Sequence, residues 1–313
     1  MKMKKMMLFL GLFAAMIDLS NAQPVQGTTP RKIISGENQF FMRPQWSPDG
    51  TKIAFTAEKN QGIWISNAKG NKLTQITDDS EAGFGFSWSA DSKSILARPV
   101  VQMDDQRFHQ VKTYNIESGE DRIIVENTRK LQSLPVWSNH DASIAFLMNN
   151  AVETRNSGKT QVKSASKDTP KAMALGNALK TTAGSETIEF DQFKDRYIFN
   201  VKTSPNGQKM VFQVNGLGLF ACNADGTELK SLGHSEQASW MPDNRYIVTT
   251  KVADNGVAIT AAELMLIDTE SGSEFPLLSD ADYIALNPSV SPDGAKLVFE
   301  NVKDGAIYLM PLK

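Results

Sequence analysis

Cysteine is almost missing from this chain. Cys222 stands alone among 313 residues, so no intrachain disulfide can form and a disulfide-stapled scaffold is excluded. Cys222 lies in the apolar run 217–222 and reads as a small buried hydrophobe. Histidine is scarce as well. His109, His140 and His234 are too scattered for a metal cluster. His140 falls inside a repeated turn, where a structural role is expected. Neither the His-Glu-x-x-His zinc pattern nor the Gly-x-Ser-x-Gly nucleophile elbow occurs. Gly216-Leu217-Gly218-Leu219-Phe220-Ala221 matches the dinucleotide fingerprint by letters, but no helix follows to receive a phosphate. Strong charge is also missing. The net charge of −2 argues against a general nucleic-acid or anionic-membrane binder. Helical 3.6-residue periodicity is absent through nearly all of the chain.

What is present starts with an address. Lys2, Lys4 and Lys5 precede a short apolar run, and Ser20 and Ala22 place small residues at the −3 and −1 positions before Gln23. This is the pattern of a secretory signal over residues 1–22, too short to span a bilayer. No cysteine follows it to carry a lipid. The expectation is an exported chain, periplasmic or extracellular, with no transmembrane segment once the signal is removed. Residues 23–313 then form the mature domain, and 41% apolar composition suffices for a core without disulfides.

Trp46-Ser47-Pro48-Asp49-Gly50 is the unit that repeats. Pro presets φ near −65°, Asp suits the next turn position, and Gly takes positive φ without steric cost, so the chain reverses between two apolar strands. Further copies begin at Trp88, Trp137, Thr203, Trp240 and Val290, each followed by an apolar strand such as Ile144 to Phe146 or Leu297 to Phe299. Gly-containing turns recur in the second half of each unit, at Gly70, Gly119, Gly226 and Gly272. A period of about 40–50 residues with four strands per unit is that of propeller blades. The last unit stops one strand short while Ile33 and Ile34 precede the first, so the N-terminal strand is expected to close the last blade. The third unit is irregular, with 160–165 and 172–175 as candidate third and fourth strands and a short helix expected near 186–194.

With the units aligned, the sequence resembles the TolB-type six-bladed β-propeller repeat. Its pattern of aromatic, Ser-Pro-Asp-Gly, Lys, apolar triplet, Ile-Tyr/Trp and Leu-Thr is carried by Trp46 to Phe55, Ile63-Trp64, Leu73-Thr74 and Val290 to Phe299 with Ile307-Tyr308. The resemblance implies an all-β fold, a six-bladed propeller of four-stranded blades. Too few residues precede Trp46 for the additional N-terminal domain of TolB, so a TolB role is not carried over whole. The hydrolase domain that follows this repeat in prolyl-oligopeptidase-like enzymes is not expected either.

Antiparallel strands put the short first-to-second and third-to-fourth turns on one face of the disc and the variable segments on the other. Those segments are 100–108, 149–159, 176–195 and 253–261. Loops of variable length on a rigid scaffold are where binding usually resides. The candidate binding face therefore includes Asp104, Asp105, Arg107, Phe108, His109, Phe190, Phe193, Asp254 and Tyr283. The recurring tryptophans read as packing between blades, and the turn aspartates as ligands of turn amides rather than of calcium. No catalytic, cofactor or metal residue is assigned. The expected function is non-enzymatic binding of a protein or cell-envelope component by a monomeric scaffold. The alternative is a carbohydrate- or small-molecule-binding propeller, or a hydrolase or lyase with Asp104, Asp105 and His109 at the channel mouth.

Overall fold

The computed structural model describes residues 23–161, 169–182 and 187–313; the expected signal at 1–22 lies outside them. Among the described residues, twenty-seven strands form seven separate antiparallel sheets. Strand β1 (Arg31–Ile34) comes first. Blade one holds β2–β5 (Phe41–Trp46, Lys52–Ala57, Ile63–Asn67, Thr74–Thr77). Blade two holds β6–β10 (Ser87–Trp88, Ser94–Ala97, Val100–Met103, Gln106–Asn115, Asp121–Thr128). Blade three holds β11–β13 (Val136–Ser138, Ser143–Met148, Ala151–Asn156) and blade four β14–β16 (Ala172–Leu175, Ala178–Thr181, Thr187–Glu189). Blade five holds β17–β20 (Ile198–Thr203, Lys209–Val214, Gly218–Asn223, Lys230–Ser231). Blade six holds β21–β24 (Glu236–Trp240, Tyr246–Asp254, Ile259–Asp268, Glu274–Leu278). Blade seven holds β25–β27 (Ala285–Val290, Lys296–Asn301, Ala306–Pro311).

Seven blades replace the six expected. The stretch between Trp137 and Thr203, a single unit by repeat spacing, is two sheets. The second sheet differs from the others in direction. The Ile198 N–H, at the start of β17, donates to the Gly176 carbonyl at 2.7 Å. The Gly176-Asn177 hairpin turn therefore sits at the opposite end of the disc from the Pro-Asp-Gly turns, and β14 runs in the opposite sense to β17. The β14–β15 hairpin therefore carries no Pro-Asp-Gly turn. The irregular region changes accordingly. The third strand of blade three is β13, and 162–165 of the expected strand lie outside the described residues. Residues 172–175 open a new sheet. Thr187–Glu189 is a strand rather than helix, followed by one 3-10 turn at Asp191–Phe193.

The core is a ring of seven apolar seams, one between each pair of neighbours. Blades one and two share Ala54, Ile63, Phe86 and Trp88. Blades two and three share Leu96, Val111, Trp137 and Phe146. Among the described residues, blades three and four share Ala145, Leu147 and Met173 as buried members, the thinnest seam. The next is aromatic, with Phe190, Phe193 and Phe212. Further seams join blades five and six through Ile247 and six and seven through Phe299. The last joins blade seven to blade one through Ile34, Phe55 and Ile307. β1 closes the ring, with Arg31 opposite Leu309 and Lys32 opposite Tyr308.

The repeat residues explain the regular spacing. Indole N–H groups cross from blade to blade: Trp88 donates to the Gln45 carbonyl, Trp137 to that of Ser87 and Trp240 to that of Lys202, at 3.0–3.3 Å. The turn aspartates bind their own turns. The Asp49 carboxylate accepts the Ser47 hydroxyl and the Thr51 N–H, and Asp293 does the same for Ser291 and Ala295. Where the turn glycine is replaced, the substitute joins neighbours. Ser92 and Asn244 hold the positive φ that Gly50 and Gly294 take elsewhere, and their side chains accept the Asp49 and Asn206 N–H groups of the preceding blade.

Candidate functional site

The loop face and the channel mouth beneath it are built by a second repeated device. Inner strands β2, β17, β21 and β25 each break register, between Met42/Gln45, Phe199/Lys202, Glu236/Ser239 and Leu286/Ser289. Each break carries a residue at positive φ three places before the repeat position: Arg43, Asn200, Gln237 and Asn287, at 50–55°. A β-bulge of this kind re-aims side chains and kinks the strand. Side chains of the preceding blade stabilise two of the bulges. Gln237 Oε1 accepts the Asn287 N–H at 2.8 Å, and the Glu300 carboxylate accepts that of Arg43. Glu300 is buried, and desolvation pushes its carboxyl above the ordinary value, against the opposing pull of the Arg43 N–H, Asn287 and the Arg43 charge.

Arg43 extends from its bulge to an exposed aromatic. Phe84 lies in the connection entering blade two, between Gly83 and Gly85. A Cβ at 83 would meet Thr56 Oγ1 at 2.0 Å and Gly85 has φ +70°, so the backbone here packs too closely for larger residues, while Phe84 stays exposed. The Arg43 guanidinium stands 5.5 Å from the centre of its ring and that of Arg98 5.7 Å. Arg98 follows β7, and its Nε is buried without a hydrogen-bond partner among the described residues. Desolvation first, then Arg107, lowers its pKa. Lys202, on β17, is exposed to solvent. Loss of bulk water, with the Arg43 charge second, pulls its ammonium pKa down. On the rim, Arg107 pairs with Glu81. Burial, then Arg98 and Arg107, hold the His109 imidazole below its ordinary value.

The residues anticipated for this face divide. Asp104 and Asp105 occupy the two-residue turn of the β8–β9 hairpin, both at positive φ, as such a turn demands. His109 pairs with Val100 at the root of that hairpin, about 13 Å along the strand from the tip at ~3.3 Å per residue. The proposed acid–base trio is therefore not brought together. Arg107 and His109 lie on the rim, and Phe108 is half-buried. Asp254 is exposed at the tip of the long β22–β23 hairpin, where it accepts the Gly256 N–H. Tyr283 packs edge-on against Phe299 and Tyr308.

Phe190 and Phe193 require correction. Both are at most 4% exposed and pack with Phe212 and Phe220 in the seam between blades four and five. The 3-10 turn at Asp191–Phe193 rotates them inward. Other apolar side chains are exposed instead: Phe40, Phe84 and Tyr197 just before inner strands, and Met103, Val257 and Val302 in second-to-third-strand turns. All six are on the loop face. The sequence signal for Phe84 was its flanking by two glycines in a connection; Arg43 had none, since a bulge is invisible in residue alternation. Among the described residues, no group of His, Cys, Asp and Glu is arranged to hold a metal ion, and no helix is long and apolar enough to cross a membrane.

Residues 15–89 match the family described as the dipeptidyl peptidase IV (DPP IV) N-terminal region. No curated protein matches the sequence. Among solved structures, oligogalacturonate lyase from Vibrio parahaemolyticus is similar with a TM-score of 0.55 and 12% identity, over 92% of this chain and 97% of that one. TolB from Acinetobacter baumannii is similar with a TM-score of 0.48 and 13% identity, over 87% of this chain and 63% of that one. At such identities the likeness to the lyase establishes the propeller fold and carries no chemistry.

Proposed function

We propose that this chain is an exported, non-enzymatic β-propeller that binds a protein or cell-envelope component through its loop face. The observation that supports this most directly is that six of the eight exposed large apolar side chains among the described residues lie on that face, with Val257 94% and Tyr197 56% exposed. Apolar groups left in water on one face of an otherwise well-packed disc favour a macromolecular partner. The separation of Asp104 and Asp105 from His109 argues against a hydrolase or lyase at that cluster. Export rests on the signal pattern of residues 1–22.

Capture from envelope extract tests the reading. With the mature protein as bait, Tyr197→Glu combined with Val257→Glu is expected to reduce the captured partner at least tenfold. Leu73→Glu combined with Ile123→Glu, also exposed but on outer strands or their approaches, is expected to leave it unchanged. Retention by the first variant, or equal loss from both, rejects this face as the binding surface.

A further inference from the structure

We propose that the channel mouth contains a carboxylate-binding subsite, formed by the Arg43 and Arg98 guanidiniums beside the Phe84 ring and by Lys202, that takes an acidic segment of a protein partner. The proposal rests on the loop face being the binding surface and names what enters its centre.

Three observations support it. The first is missing counter-charge. Arg107, Arg155 and Arg245, and Lys32, Lys112, Lys159, Lys209 and Lys251, all have carboxylate partners. Among the described residues, Arg43, Arg98 and Lys202 have neither an ion pair nor a side-chain hydrogen bond. Arg98 is the one of the three with a guanidinium nitrogen out of water; a desolvated cation without an anion is costly, and a ligand that supplied one would recover that cost. The nearest carboxylates are already engaged: Glu81 with Arg107 and Glu300 with the Arg43 backbone.

The second is geometry. Two planar guanidiniums beside one ring are held by cation–π contacts, which spares the ordering cost of long side chains. Each fork keeps its N–H donors free for a carboxylate, the group that a guanidinium binds in bidentate fashion. The Arg98 Nε, buried and unpartnered, is a donor already removed from water. Lys202 extends the positive field, since the Arg43 charge acts on it.

The third is the surround. Phe40, Phe84, Met103 and Tyr197 are exposed on the same face. Acidic residues flanked by apolar ones satisfy both features, and a polypeptide supplies this alternation. A uronate oligosaccharide supplies the carboxylates alone.

Fluorescence anisotropy with labelled hexaglutamate, hexaglutamine and a peptide alternating Glu with Leu tests the proposal on the mature protein at 50 mM and 300 mM salt. The alternating peptide is expected to bind most tightly, hexaglutamate less so and hexaglutamine not measurably. Raising the salt should weaken both acidic ligands. Arg43→Gln with Arg98→Gln should weaken binding at least tenfold, and Lys202→Gln and Phe84→Leu each about threefold, with thermal midpoints recorded to confirm folding. Should the glutamines unfold the protein, Arg43→Lys with Arg98→Lys keeps the charge and loses the forks, and is expected to bind about fivefold more weakly. Unchanged affinity in folded variants overturns the subsite. So does tighter binding of trigalacturonate than of the alternating peptide. If envelope capture still depends on Tyr197 and Val257 in that case, the loop face stands and only its anionic centre falls.

Discussion

Deleting residues 31–36 lowers the thermal midpoint by an expected margin on the order of 10 °C. The closing strand contributes in three ways. Ile34, 2% exposed, fills the seam between blades seven and one with Phe41, Phe55 and Ile307, and burial of such a side chain is worth about 1.5–3 kcal/mol. The ladder to β27 adds backbone bonds worth about 0.5–1.5 kcal/mol each. Removal also exposes the N–H and C=O row of β27, an edge open to pairing with another molecule. The bonds from Gln26 and Thr28 to Lys313 and Pro311 lie beyond the deletion and leave a tether without a seam. Ile34→Asp retains the chain length and places an unpaired charge in the same seam, so its midpoint should fall comparably. Calorimetry of the three proteins is the measurement. An unchanged transition in both variants would mean that the ring does not depend on this strand.

Phe193→Ala has the other large expected effect, a loss of about 3–5 kcal/mol. Its ring sits 4.8 Å from Phe220, 5.6 Å from Phe190 and 6.3 Å from Phe212, and the cavity left behind cannot be refilled by such rigid neighbours. Phe84→Ala serves as the contrast. Phe84 is exposed, so truncation should shift stability by less than about 0.5 kcal/mol while weakening binding at the mouth. Denaturant titration separates the two. A Phe193→Ala protein as stable as the parent but deficient in partner capture would return Phe193 to the binding face.

These two phenylalanines mark how far residue patterns carry. Turn chemistry is local, so Ser47-Pro48-Asp49-Gly50 and its copies disclosed the blades, their sense and the short-turn face. Closure was legible because a strand missing at one end and spare at the other is a matter of counting. Blade four was not legible because its described hairpin, at Gly176-Asn177, turns on the opposite face and copies nothing. Phe190 and Phe193 sit in a loop-like stretch, and only the 3-10 turn that follows β16 directs them inward. The channel mouth was hidden for a related reason. The bulge at Arg43 breaks strand alternation, and its partners Phe84, Arg98 and Lys202 come from three other places in the chain.

Hydrogen exchange of the protein alone and with its captured partner bears most directly on the claim that the loop face binds. Protection is expected in 82–86, 98–109, 195–200 and 253–261, with no change in the turns at 47–51, 89–93 and 291–295. Protection of those turns, with the loop-face segments unchanged, would contradict it.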